Sequence, residues 1–418
     1  MSIIPVAVRR PLVPRDTGEH HRTATPLELL FDLVFVVAIA SNAAQLHHGL
    51  AAAHYETVIG YVLTWFAIWW AWMNYSWFAS AYDNDDVGFR LLTFVIMTGA
   101  LMLAAGVPDL FEDGQSVLVV AGYAVMRFAM VALWLRAASG HPERRATALW
   151  YAGGITVVQL LWIARLALPA EPSVLLPSFF VLVAAELLVP VVAERGHGYT
   201  PFHPHHIAER YGLLVIIVLG EVILSSVQAV QGAMAAGSPE GAGGHTAPYL
   251  AEPAGSVGGF GPQMWLLVAG GLLVVFSLWW AYFSRDHARV VANDGPVFFF
   301  GYGHYVVFAA TAAVGAAISA AVDVVQGEAA AGVRPIALTL AVSVSLVLVT
   351  MAGLHALGTH ETVLTMVPAG VASAACVLVA LVVPSMGAAV LCVGLVLVAF
   401  VVHKVWVQRH HAPGEVAA

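Results

Sequence analysis

The sequence is short of charge and nearly without cysteine. Only 10% of its 418 residues are charged, against about 25% in soluble domains. Hydrophobic residues make up 60%, and the mean hydropathy is +0.84. That balance excludes a water-soluble globular chain and makes the lipid bilayer the expected surrounding, with no nucleic-acid partner. The two cysteines, Cys376 and Cys392, fall inside late apolar runs; they exclude a disulfide framework and a cysteine metal motif, and read as small core residues. Also missing are a phosphate-binding P-loop, a Gly-x-Ser-x-Gly elbow and a His-Glu-x-x-His metal motif. No cofactor is expected, and no motif assigns an enzyme. Residues 1–24 lack the pattern of a cleaved leader. Arg9-Arg10 has the look of a twin-arginine signal, but Pro11, Pro14, Asp16 and Glu19 argue against it, so the first spanning helix is expected to direct its own insertion.

What the chain has is long apolar runs. A spanning helix takes about 20 mainly apolar residues. Twelve stretches qualify: 27–46, 56–80, 89–107, 115–137, 147–168, 174–193, 207–230, 263–284, 296–321, 335–357, 362–382 and 386–407. The expected fold is an all-α polytopic membrane protein of about twelve transmembrane helices. With the N-terminus inside, thirteen Lys and Arg lie in cytoplasmic segments, Arg165 and Arg334 lie opposite, and Arg127 and Arg210 lie within helices. The positive-inside rule then puts both termini in the cytoplasm of a bacterial plasma membrane.

The pattern also repeats. Trp69-Trp70-Ala71-Trp72 aligns with Trp279-Trp280-Ala281-Tyr282, Asn84-Asp85 with Asn293-Asp294, and Glu28 with Glu209. The organisation expected is a tail (1–26), two tandem six-helix halves of the same orientation (27–197 and 198–407), and a second tail (408–418). A Gly-, Ala-, Ser- and Pro-rich stretch, 231–262, reads as a flexible external loop. Parallel repeats of this kind are a transporter plan, with the site between halves.

The chemistry begins at Glu28 and Asp32, four residues apart at the head of the first apolar run. On a helix they stack on one face, and Asp32 lies deep enough to need a partner, water or a proton. Glu28 also suits a helix N-terminus after Thr25-Pro26. Arg127, mid-helix, needs an anion, with Asp32 or Glu186 expected. Glu209 and Arg210 are expected to bond at the mouth of the seventh helix. Glu221, midway along it, is the favoured proton- or cation-binding carboxylate. His304 titrates in a useful range but reads equally well as a hydrogen-bonded core residue. Two clusters tempt: His203, His205, His206 and Glu209 have a metal-like composition without a closed zinc spacing, and Asp83, Asp85 and Asp86 suit Mg²⁺ in a lipid-linked transferase, or else a solvated turn. No metal is assigned. The Trp-rich face of the second helix reads as packing.

Three stretches carry a resemblance: Glu28-Leu29-Leu30-Phe31-Asp32-Leu33-Val34-Phe35-Val36; Trp69 to Phe78 with Asp85-Asp86; and His206-Ile207-Ala208-Glu209-Arg210-Tyr211-Gly212 with Leu219-Gly220-Glu221. With them the chain resembles the bacterial low-temperature-requirement A (LtrA) family, whose motif often has Phe where this chain has Leu30. The resemblance implies an integral plasma-membrane protein associated with growth in the cold, and implies no biochemical activity. From the residues, the expectation is a transporter of a small solute or ion, with proton coupling open. Glu28, Asp32, Arg127, Glu186, Glu209, Arg210, Glu221 and His304 would line its route. A channel, a Mg²⁺-dependent enzyme on lipid-linked substrates and a structural or sensory membrane protein are the alternatives.

Overall fold

The computed structural model describes residues 10–16, 19, 22–169, 171–195, 198–236, 261–285, 287–291, 297–359 and 362–411. Among them no strand occurs, and the helices are α1 (Pro26–Ala51), α2 (Thr57–Tyr82), α3 (Val87–Asp113), α4 (Val117–Gly140), α5 (Arg145–Ala164), α6 (Pro172–Glu194), α7 (Pro204–Ala236), α8 (Pro262–Phe283), α9 (His287–Val291), α10 (Val297–Gln326), α11 (Val333–Thr359), α12 (Thr362–Val382) and α13 (Met386–His411). The twelve expected spans are all present as long helices; the five-residue α9 is the one the apolar runs did not announce. Eleven are long and apolar enough to cross a bilayer. The twelfth, α2, carries five Trp and three Tyr, whose N–H and O–H groups lower its hydropathy without making it polar. Residues 231–236 of the expected loop extend α7, and 237–260 lie outside the described residues.

Local chemistry sets the ends. Thr25-Pro26-Leu27-Glu28 forms a capping box: the Thr25 N–H donates to Glu28 Oε2 at 2.8 Å and the Glu28 N–H to Thr25 Oγ1 at 3.3 Å, with Pro26 at the first helical position. Asp86 caps α3 by accepting from the Phe89 N–H at 2.7 Å, and Gly114, at φ 72°, closes it in the left-handed conformation. Ser116 caps α4.

The chain forms two compact units, one of residues 1–45 and 59–214, the other of 46–58 and 215–418. In the first, α3 packs on α4, α4 on α5 and α5 on α6. Seventeen residues of α2 are buried, all round the helix, as expected of a central element. A side chain at Gly99 would meet the Gly122 carbonyl at 2.6 Å, and one at Gly122 the Gly99 carbonyl at 2.5 Å, so only glycine lets α3 and α4 cross this closely. In the second unit α8 packs on α13, α10 on α11 and α11 on α12. Gly270 and Gly394 play the same part there between α8 and α13.

Two of the aligned tryptophans stand in different surroundings from their counterparts. Trp69 and Trp70 are buried at 3% and 0% exposure, whereas their counterparts Trp279 and Trp280 are 47% and 52% exposed; Trp72 and its counterpart Tyr282 are both buried. Asn293 and Asp294 lie outside the described residues.

Candidate functional site

The site is a ladder in the first unit. α1 presents Glu28 and Asp32 on one face, and α7 presents His206 and Arg210 at the same four-residue spacing. His206 Nε2 lies 3.1 Å from Glu28 Oε1 and 3.3 Å from Oε2. Arg210 Nη1 lies 2.9 Å from Glu28 Oε1, and Nη2 donates to Asp32 Oδ1 at 2.5 Å. All four side chains are fully buried. The equal spacing gives each acid a basic neighbour across the helix pair. Arg210 reaches both carboxylates because its planar guanidinium carries five N–H donors in a fork.

α2 supplies the third wall. Trp72 Nε1–H donates to Asp32 Oδ1 at 2.7 Å, the Trp72 ring lies 5.9 Å from the Arg210 guanidinium, and Tyr75 stacks on Phe31 at 3.9 Å. Trp77 Nε1–H donates to the Tyr211 hydroxyl at 3.0 Å. Asp32 Oδ1 thus takes two donors, while Oδ2 and His206 Nδ1, both buried, have no hydrogen-bond partner among the described residues.

One end of this cluster is closed by a strap, whose described residues are 10–16, 19 and 22. Arg22 donates to the Ala79 carbonyl at 2.7 Å and to that of Ser80, a cation on the carbonyl end of the α2 dipole. The Arg15 N–H reaches the Ala81 carbonyl at 3.0 Å. His203 accepts from the His206 N–H at Nδ1 (3.3 Å) and donates from Nε2 to the Glu19 carbonyl (2.8 Å). Both its nitrogens are used, so the metal-like histidine composition is spent on the strap and on Glu28. Burial holds Arg22 at about 10, with Arg15 adding to the depression; it stays charged at neutral pH.

The acidic turn is solvated at Asp85, which is exposed, but Asp83 and Asp86 are buried. Asp86 is buried; its Oδ2 accepts from the Arg10 N–H at 2.7 Å and from Arg136 at 2.6 Å. Asp85, at φ 51°, pairs with Arg90. Asp83 is buried too, accepts from the Asp85 N–H at 2.9 Å, and is pushed up to about 6 by burial and then by the charge of Glu28. Among the described residues no three of His, Cys, Asp and Glu converge as a metal site.

A second buried pair lies across α2. Arg127 Nη2 donates to Glu186 Oε2 at 2.7 Å, joined by Trp70 Nε1–H at 2.9 Å and the Tyr123 hydroxyl at 2.9 Å to Oε1. Of the two partners expected for Arg127, Glu186 is the one present. Trp70 and Trp72 are two residues apart, about 200° around the helix, so one α2 segment serves two acids. This pair is balanced in charge and its carboxylate has three donors.

The remaining expected residues stand elsewhere. Arg210 is not at the helix mouth; it is the shared cation of the ladder. Glu209, half-buried, accepts from the Ala24 backbone. Glu221, half-buried in the second unit, makes no ion pair among the described residues. His304 accepts from the Tyr282 hydroxyl at Nε2 (3.0 Å) and donates from Nδ1 to the Phe300 carbonyl (2.7 Å), which occupies both ring nitrogens.

Two comparisons bear on this chain. The family model described as bacterial low temperature requirement A protein (LtrA) matches residues 23–402. The uncharacterized protein RA0937 of Rhizobium meliloti (strain 1021) is 26% identical over 293 residues, 66% of this chain and 64% of that relative, so the match spans under two thirds of its length. No solved structure matches.

Proposed function

This chain belongs to the bacterial low temperature requirement A (LtrA) family, and we propose that it is a proton-coupled transporter of a small solute or ion whose coupling site is the ladder of Glu28, Asp32, His206 and Arg210. One observation carries the reading: two buried carboxylates share one arginine. The cluster therefore holds one negative charge in excess, in a span where an uncompensated charge costs several kcal/mol. A proton on His206 Nδ1 or on Asp32 Oδ2, or a bound cation, removes it. Both atoms are buried and lack a protein partner. Such a site is stable in one protonation state and costly in the other, which is the property a coupled carrier uses. The balanced Arg127–Glu186 pair has no such excess and serves to hold the unit together.

The same proposal takes in the plasma-membrane location, the cytoplasmic termini, the tandem halves and a link to growth in the cold. Against the enzyme alternative stand the contacts of two members of its cluster: Asp85 pairs with Arg90, and Asp86 with Arg136 and the Arg10 backbone.

The test is flux in proteoliposomes loaded with a pH dye, under imposed pH, Na⁺ and K⁺ gradients. The wild type should move protons together with a cargo, and Asp32→Asn, which leaves a neutral site, should not. Coupled flux that survives unchanged in folded Asp32→Asn and Glu28→Gln proteins would overturn the proposal.

A further inference from the structure

A groove of about 370 Å³ runs along α8 and α13. The two helices are parallel. Gly270 meets Leu391 and Gly394; further along, Lys404 Nζ donates to the Ala281 carbonyl at 3.1 Å and to Ser284 Oγ at 2.8 Å, and Gln408 Nε2 to the Ser284 carbonyl at 3.1 Å. Close approach at the glycines leaves a long, narrow furrow on one side of the pair. Leu273, Phe276 and Trp280, at i, i+3 and i+7, make its α8 wall; Val398, Val402 and Arg409, at i, i+4 and i+11, make the other.

Phe276, Trp280 and Val402 are 59%, 52% and 61% exposed, and both helices are long and apolar enough to lie in the bilayer, so the furrow opens on hydrocarbon. From Val398 to Arg409 it runs about 16 Å at ~1.5 Å per residue, the scale of one acyl chain. Its mouth is cationic. Arg409 makes no hydrogen bond or ion pair among the described residues, and no acidic residue lines the groove. Lys404 lies outside the groove and is bonded to Ala281 and Ser284, which leaves the Arg409 fork for an incoming anion.

We propose that this groove binds one anionic phospholipid, its acyl chain against Phe276, Trp280 and Val402 and its phosphate on Arg409. A guanidinium offers paired N–H donors to phosphate oxygens. A headgroup with its own cation would bring a second positive charge beside Arg409, so the site selects net-negative lipids. The site lies wholly in the second unit and does not depend on the transport reading.

The experiment is native mass spectrometry of the full chain in detergent, titrated with phosphatidylglycerol and phosphatidylcholine of equal chain length. The wild type should retain one phosphatidylglycerol about tenfold more strongly, the value of one charge-assisted contact. Arg409→Gln, at an exposed position, should bring the two lipids within about twofold of each other. Val402→Trp, which fills the furrow and keeps the cation, should lose the retained lipid of either kind. Equal retention of both lipids by the wild type overturns the proposal. So does unchanged phosphatidylglycerol retention in both variants, or a second copy of the chain found in place of the lipid and lost in Val402→Trp.

Discussion

Replacing Arg210 by Met takes away the one cation that two buried carboxylates share. At an effective dielectric of about 20 and a charge separation of ~4 Å, each contact is worth about 4 kcal/mol gross. Most of that is offset by the desolvation already paid when the wild type folds. The net loss expected on breaking a buried pair is about 3–5 kcal/mol, which lowers Tm by on the order of 10 °C for a unit of this size. Asp32→Asn acts in the opposite sense: the cluster becomes neutral, and the Asn carbonyl still accepts from Trp72 and Arg210. Its stability should stay within about 1 kcal/mol of wild type. The double variant, with Glu28 still bonded to His206, should fall between them. Thermal unfolding in detergent, followed by Trp fluorescence, measures all four proteins. Arg210→Met unfolding within ~2 °C of the wild type, or below the double variant by nothing, would refute the idea that one guanidinium compensates two charges.

Other outcomes follow from the same contacts. Arg127→Met should cost about 3 kcal/mol by stranding Glu186 while leaving the pH dependence of flux unchanged, which thermal unfolding and the proteoliposome assay read separately. Gly99→Val or Gly122→Val should destabilise by several kcal/mol, because the added Cβ meets backbone that cannot rotate away; recovery of folded protein after size exclusion checks it. Asp83 is raised from 3.8 to about 6, so the folded state binds its proton more tightly than the unfolded chain. Its contribution is therefore fully present below about pH 4, is lost as pH rises toward 6, and is level above that. Asp83→Asn should flatten that part of the stability-against-pH curve, as measured by unfolding across pH 4 to 7.

Much of the architecture is legible in the chain because it follows from local pattern. Apolar runs mark twelve helices, and the Glu28–Asp32 spacing marks the face of α1 that matters. Partnership is not local. Arg210 follows Glu209 near a helix start and reads as a mouth residue; only the packing of α7 on α1, 178 residues away, puts it beneath two acids. The tryptophans of α2 read as packing, yet a buried indole N–H needs an acceptor, and that requirement was a usable signal for Asp32 and Glu186. Asp86 reads as solvated because the segment that covers it comes from 76 residues upstream. α9 follows a Ser-Arg-Asp break and is too short for any periodicity to show.

The unequal charge count of the ladder also fixes how a membrane potential would act on it. An empty site with one surplus negative charge is pushed by the field, at about 2.3 kcal/mol per elementary charge per 100 mV across the full span, while the protonated site, being neutral, is not. On the proposed cycle the voltage therefore works on the return of the empty carrier rather than on the loaded step. If that cycle holds, an inside-negative potential favours the outward position of the empty, negatively charged site, and turnover should rise with the imposed potential.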